Sequence, residues 1–452
     1  MSAGISQHNQ VAKGLSYLQT QARVRVLVVG AVYVCAGLRL FFLTNRYAVN
    51  ILFRDQWKFD EATLFEQHSL FEIFRWQHGP HRQGLGGVVS KIIEPSIRWN
   101  SRYEAFGIVA ILLLTALLAL CLKKKLFGKI EFADSAIPLI FLTPVQYQVI
   151  FEGANPSHGP VSVLLLIAYC LTLTIESQKL RLTAVLSVNL LLIYTGFGLF
   201  IGLITPLLML NEYRCTRDRQ FILAFVIAAI SFGSFFIGYK LIPATECFSL
   251  APGNPFLYVL FAGFMLSSFV GVQPVPHMIP AIFLGMTLLC ALLWVFGRAI
   301  STWWAKSTPQ RGIVLVLIGY YLLFALATAY GRLCLGLSAA QASRYTCYTA
   351  VAFFALYLAT RFTRSSAHVA AIMVLALMST FGLSRLDKRQ IAVVSLGRKQ
   401  WHDCYLKNHT IAECDAIANS TIYWTPEPID LQQKLEFLES HHLNLFSEND
   451  EK

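Results

Sequence analysis

The chain has 452 residues, 56% of them hydrophobic and 14% charged, with a mean hydropathy of +0.55 and a formal net charge of +12. Soluble domains are about a quarter charged, so these values exclude an ordinary soluble globular protein and point to a polytopic membrane protein. The positive balance does not indicate nucleic acid. No basic face with interleaved aromatics appears, and lysines and arginines collect at the ends of apolar segments, where they set topology.

Residues 1–24 are polar and carry Lys13 and Arg23, which the positive-inside rule assigns to the cytoplasm. The first span, about 25–44, is closed by no small-residue cleavage site and reads as a signal anchor. The loop 45–103 is then outside. Two surface helices are expected in it, about 60–76 and 84–97, parted by a turn because Gly79-Pro80 breaks a helix. Spans follow at about 104–122, ending in Lys123-Lys124-Lys125, then at 133–151 and 160–175.

Residues 182–210 read either as one long helix or as two short ones meeting at Thr195-Gly196-Phe197-Gly198. The short pair is preferred, because one long helix would put Arg214, Arg217 and Arg219 outside. Short broken helices are tolerated where protein or a cavity surrounds them. A span is expected at 220–242, and residues 244–280 are expected outside, with 255–271 an interfacial or re-entrant helix. Spans at 281–299, 312–330, 346–361 and 368–384 complete an all-α architecture of about eleven spans. The competing reading, a long helix at 182–210 and a span at 255–271, gives the same total and differs over where 211–254 lies. The transmembrane domain covers 25–385, and a tail over 386–452 is outside, with a polar helix-like end at 430–446.

Cys35, Cys121, Cys170 and Cys290 are single residues in apolar runs and read as small core residues. No CxxC or His/Cys ligand spacing points to structural zinc. Cys404 and Cys414 lie in the polar tail, in an oxidising compartment on this topology, and are a disulfide candidate. The sequons at Asn408 and Asn419 are three-residue matches to which no meaning is assigned.

Three polar clusters share the outer face on this topology. The first loop holds Asp55, Trp57, Asp60, Glu61, His78, His81 and Arg82. The turn at 151–160 holds Glu152, Asn155 and His158, and the segment 331–345 holds Arg332, Gln341, Ser343, Arg344 and Tyr345. Ionisable groups at the outer ends of packed spans are costly unless paired or used. Acids, histidines and arginines converging there suit an anionic headgroup bound beside an acid or base. An acid would take the proton of an acceptor hydroxyl, and arginines would neutralise a phosphate leaving group. Trp57 and Trp76 would stack on a sugar or anchor the loop.

Each residue also has a plainer reading. Asp55 pairs with Arg54 or is solvated, and Asp60 and Glu61 start a helix. His78, His81 and Arg82 form a polar turn at the headgroups, Glu152 and His158 cap helices, and Arg332 and Arg344 snorkel. A divalent ion on Asp55 and Glu61 is left open, since lone acids do not make a site.

The layout resembles the GT-C superfamily of integral-membrane glycosyltransferases. The position of that family's acidic first-loop motif is filled by Arg54-Asp55-Gln56-Trp57, followed by Asp60-Glu61. His78-Gly79-Pro80-His81-Arg82 looks like a variant of an HNEHR-type motif, with Gly79-Pro80 where the acid stands. Gly331-Arg332 and Ala342-Ser343-Arg344-Tyr345 are similar to segments of the same group, and the single Asp55 is closer to arabinosyltransferase-like and pilin- or envelope-modifying members. The resemblance implies a bacterial inner-membrane, inverting glycosyltransferase. It would use a polyprenyl-phosphate-linked sugar and an envelope glycan, lipid or protein acceptor on the periplasmic side. Asp55 is the expected base, Arg332 and Arg344 the donor-phosphate ligands, and His78, His81 and Arg82 the lining. The alternatives are an O-antigen polymerase or ligase-like enzyme, which also uses outer-face arginines, and a transporter or flippase. A transporter would show charges at mid-span and repeated halves, and neither is visible.

Overall fold

The structure, a computed structural model, describes residues 2–153, 155–240, 254–363, 365–424 and 430–447. Cys247, Arg364 and the first part of the expected outer segment 244–280 lie outside the described residues. Among those described, nearly all regular structure is helical, and the strands form one two-residue hairpin.

α1 (Ser2–Tyr47) runs unbroken from the polar N-terminal stretch through the first apolar segment. No proline interrupts it. The first loop then forms α2 (Asp55–Asp60), a π turn at Glu61–Phe65, α3 (Leu70–Arg75), β1 (Gln77–His78), β2 (His81–Arg82) and α4 (Gly84–Ile93). The single helix expected over 60–76 is therefore broken. Ser69 and Glu72 form a reciprocal capping box that starts a new helix at Leu70, a Ser-x-x-Glu spacing with a known physical basis.

α5 (Ser101–Phe127) begins where the Asn100 side chain accepts the amides of Arg102 and Tyr103. The segment expected as a span over 133–151 is not one continuous helix but a series of short turns around α6 (Ala136–Phe141). Pro144, which has no N–H to donate, opens the turn after α6. α7 (Pro160–Thr172) is followed by α8 (Gln178–Ile193) and α9 (Leu199–Thr216). Their separation at 194–198 is the break the short-pair reading expects.

α10 (Gln220–Ser234) leads towards α11 (Phe256–Phe269). Phe261 and residues 263–269 of α11 are buried, and it packs against the next elements, α12 (Pro274–Ala305), α13 (Pro309–Arg332) and α14 (Thr346–Thr363). It is a helix inside the bundle rather than one lying on its surface. α15 (Ser366–Phe381), α16 (Arg385–Asn408), α17 (Ile411–Ala418) and α18 (Leu431–Ser440) complete the chain. Among the described residues, four stretches are long and apolar enough to cross a membrane: Thr20–Tyr47, Ser101–Phe127, Pro274–Ala305 and Pro309–Leu335. Shorter apolar helices pack beside them.

The bundle has two unlike ends. At one, Gln178 donates to Asp218 over 2.6 Å, Ser307 bonds Glu212, and Arg361 pairs with Glu131. A fully buried ion pair joins Lys123 to Asp134 over 2.7 Å. Arg214, Arg217 and Arg219 lie at this end, away from the first loop. At the other end the chain returns through 235–240, which touches the first loop at Gln77 and Pro80.

The tail docks on this second end. Ile51, Phe53, Trp57 and Leu64 of the first loop share a core with Trp401, Tyr405, Leu431, Leu435 and Leu438 of the tail. Fully burying an apolar side chain of this size stabilises by about 2 kcal/mol, so the tail is part of the fold. A disulfide joins Cys404 of α16 to Cys414 of α17, with Cα atoms 5.5 Å apart.

Candidate active site

The hairpin His78-Gly79-Pro80-His81 is built by its turn. Gly79 takes a φ of 56°, which glycine adopts without strain and a two-residue hairpin turn requires. His78 pairs directly with His81, so both rings project from the same face. They meet His158 there, with ring centroids 5.5 and 5.1 Å from it. Burial pushes all three imidazoles down, His158 to about 3. They are neutral at pH 7 and offer hydrogen-bonding nitrogens without charge.

Three backbone segments are drawn together under this face. The Gly196 amide donates to the Arg82 carbonyl over 3.0 Å, and the Ser157 hydroxyl donates to the Gln83 carbonyl over 2.9 Å. A Cβ on Gly196 would stand 2.1 Å from the Ser157 carbonyl oxygen. The small residues of 84–87 and 195–198 thus let loops from distant parts of the chain touch.

Above this junction lies a cavity of about 550 Å³. Its wall takes Asp55, His78 and His81 from the first loop, Glu152, Asn155 and His158 from the second cluster, and Arg332, Arg344 and Tyr345 from the third. Three segments separated by some 290 residues in sequence, from Asp55 to Tyr345, converge on one space.

Asp55 is exposed, at the first turn of α2. One carboxylate oxygen, Oδ1, accepts the indole N–H of Trp424 over 2.7 Å. Arg54 does not pair with it; its guanidinium lies 4.8 Å from the ring centroids of both Phe53 and Trp424. Glu152 is 7% exposed with its Oε1 unpartnered. Burial pushes its carboxyl up to about 7, against the pull of Arg398 and Arg54. Asn155 turns its carbonyl to the amides of Ser157 and His158, leaving its amide nitrogen without a partner.

Arg332 ends α13, and Arg344 sits in the short turn before α14. Both are exposed. Among the described residues neither guanidinium is in an ion pair or a hydrogen bond, and that of Arg344 lies 5.6 Å from the Tyr345 ring. The Arg344 amide is held by Gln148, whose side-chain oxygen accepts it over 3.2 Å.

Seven of the residues singled out in the sequence are not brought to the cavity: Trp57, Asp60, Glu61, Trp76, Arg82, Gln341 and Ser343. Trp57 is buried, packs in the tail core and donates to the Ile422 carbonyl over 3.2 Å. Asp60 is buried beside Glu94 and Glu104, accepts from Thr63 over 3.1 Å, and is pushed up to about 7 by burial. Glu61 pairs with Lys434 of α18 over 3.3 Å. Arg82 is buried and donates to the carbonyls of Phe235, Ile237 and Arg75. These include carbonyls just past the C-terminus of α10, where a cation suits the helix dipole; Arg82 fastens the hairpin to that helix. Among the described residues, no group of three or more His, Cys, Asp or Glu is placed to hold a metal ion.

Two contributors carry no motif. Trp424 is, with Trp401, one of two tryptophans in a polar tail. Arg398 of α16 is buried and donates to the carbonyls of Phe151, Val49 and Ile51, tying the second cluster to the start of the first loop. Beside Lys399 it reads in sequence as part of a solvated helix face. The chain matches no protein-family model, and no curated protein matches it.

Proposed function

We propose that the chain is a bacterial inner-membrane glycosyltransferase of about eleven spans, moving one sugar from a polyprenyl phosphate to an envelope glycan, lipid or protein acceptor. The observation that carries the reading is one cavity lined by an accessible carboxylate, Asp55, and two guanidinia, Arg332 and Arg344, without acidic partners among the described residues. The basic residues at the opposite end of the bundle support a cytoplasmic face there and a periplasmic face at the cavity. On this count the spans are α1, α5, the apolar segment Phe132–Gln146, α7 to α10 and α12 to α15.

The transfer proceeds with inversion. Asp55 accepts the proton of the acceptor hydroxyl as its oxygen bonds the anomeric carbon. The bond from that carbon to the phosphate oxygen breaks, and the lipid phosphate leaves with its charge met by Arg332 and Arg344. The neutral His78, His81 and His158, together with Phe197 and Tyr345, wall the sugar without adding charge. Membrane vesicles carrying the protein and supplied with radiolabelled undecaprenyl-phosphate glucose, mannose or arabinose are expected to transfer label to envelope acceptor. Vesicles without the protein give the baseline, and label no higher than that baseline with all three donors would remove the reading. The polymerase or ligase-like alternative would then lead, on the strength of the two free arginines.

A further inference from the structure

Trp424 stands at the cavity wall, about half exposed, with its indole nitrogen 2.7 Å from Asp55 Oδ1. It is not a loose contact. The backbone two residues earlier is pinned twice to the first loop, because the Ile422 carbonyl accepts the Arg54 amide over 2.6 Å and the Trp57 indole N–H over 3.2 Å. Tyr423 is bonded to Asp415, which also accepts the indole N–H of the buried Trp401 over 2.7 Å. The Cys404–Cys414 disulfide closes the same subdomain. The Arg54 guanidinium lies 4.8 Å from the centroid of the Trp424 ring and makes no ion pair with Asp55. The tail therefore delivers one N–H to one carboxylate oxygen from a rigid base, and Oδ2 of Asp55 is left for another partner.

We infer that Trp424 is a positioning residue: its indole N–H fixes the Asp55 carboxylate so that Oδ2 faces the acceptor hydroxyl, and the C-terminal tail thereby completes the active site. This rests on the reading of Asp55 as the base. A carboxylate free to rotate spends part of its time misdirected, and small misplacements of a reacting group are costly. The residue acts on the chemical step and leaves the donor phosphate contacts alone.

The test uses the full chain in vesicles with the radiolabelled undecaprenyl-phosphate sugars, comparing the parent with Asp55→Asn, Trp424→Phe and Trp424→His. Phenylalanine keeps a ring and loses the N–H; histidine keeps a ring N–H. Trp424→Phe is expected to lower kcat about 10- to 100-fold, the worth of a hydrogen bond to a charged group, with donor KM unchanged. Trp424→His is expected to recover part of that loss. A parental kcat in Trp424→Phe, a loss carried by donor KM, or equal loss in the Phe and His variants would overturn the inference while the Asp55 reading stands. A parent without transfer, or Asp55→Asn as active as the parent, would overturn the Asp55 reading and this inference with it.

Discussion

Arg332 and Arg344 differ from Arg82 and Arg398 in what their guanidinia touch. The latter two are buried and spend their donors on backbone carbonyls, so they hold loops in place. The former two are exposed at the cavity with donors unspent. Arg332→Gln and Arg344→Gln are each expected to raise donor KM about tenfold, the loss of one charge-assisted contact, with melting temperature unchanged; a fall in melting temperature without a change in KM would make them structural. The sequence singles out Arg82, Arg332 and Arg344 alike and passes over Arg398, and only tertiary contact separates the four.

The acids divide in the same way. Asp60 and Glu94 are buried together, and both carboxyls are pushed up, Asp60 to about 7. A group whose folded pKa exceeds its unfolded value binds more protons when folded. The stability it contributes is full below about pH 4 and is lost as pH rises through about 7. Melting temperature is expected to fall between about pH 5 and 8, and Asp60→Asn to flatten that fall. An unaltered slope in the variant would mean that another group controls it. In sequence Asp60 and Glu61 look alike, but α2 turns the first inward and leaves the second to Lys434.

At the scale of elements, one junction that shapes the cavity was readable from glycine and proline, because those residues act through the local backbone. That junction is the turn at Gly79-Pro80, while the break at Thr195-Gly196-Phe197-Gly198 is chosen by the charge rule, because one long helix would put Arg214, Arg217 and Arg219 outside. The interruption at 66–69 was readable too, from Ser69 and Glu72, but the apolar periodicity on either side masked it. What sequence does not show is which glycines are crowded. Gly79 and Gly196 have nearly the same φ, 56° and 54°. A Cβ at Gly79 meets open space, and one at Gly196 would collide with the Ser157 carbonyl. Gly79→Ala is expected to cost about 1 kcal/mol and to leave a folded protein. Gly196→Ala adds a steric clash between two backbones and is expected to lower the yield of folded protein in detergent sharply; equal yields and melting temperatures for the two variants would contradict this packing.

At the scale of the molecule, the helical architecture followed from composition and hydropathy, and the convergence of the three polar clusters followed from counting helix ends. The role of the tail did not. Its contacts with the first loop join residues more than 360 apart, such as Trp57 to Ile422 and Asp55 to Trp424, and no local pattern announces them. The two ends of the bundle also make a prediction about sidedness. A cysteine placed at Glu439, on the cavity end, is expected to react with a membrane-impermeant maleimide in intact cells whose outer membrane is permeabilised. One at Lys124, on the other end, is expected to react only after the inner membrane is breached. Labelling of both from the same side would contradict a bundle that crosses the membrane between these ends.

The most direct measurement separates binding from transfer in Asp55→Asn. Binding of an undecaprenyl-phosphate sugar to the purified protein would be followed by the rise in melting temperature it produces, alongside transfer of radiolabel in vesicles. With Asp55 as the base and Arg332 and Arg344 as phosphate ligands, Asp55→Asn should keep the parental shift in melting temperature and lose transfer by at least about 100-fold, the usual range of general-base catalysis. Transfer at the parental rate in a variant that still binds would contradict the assignment of Asp55.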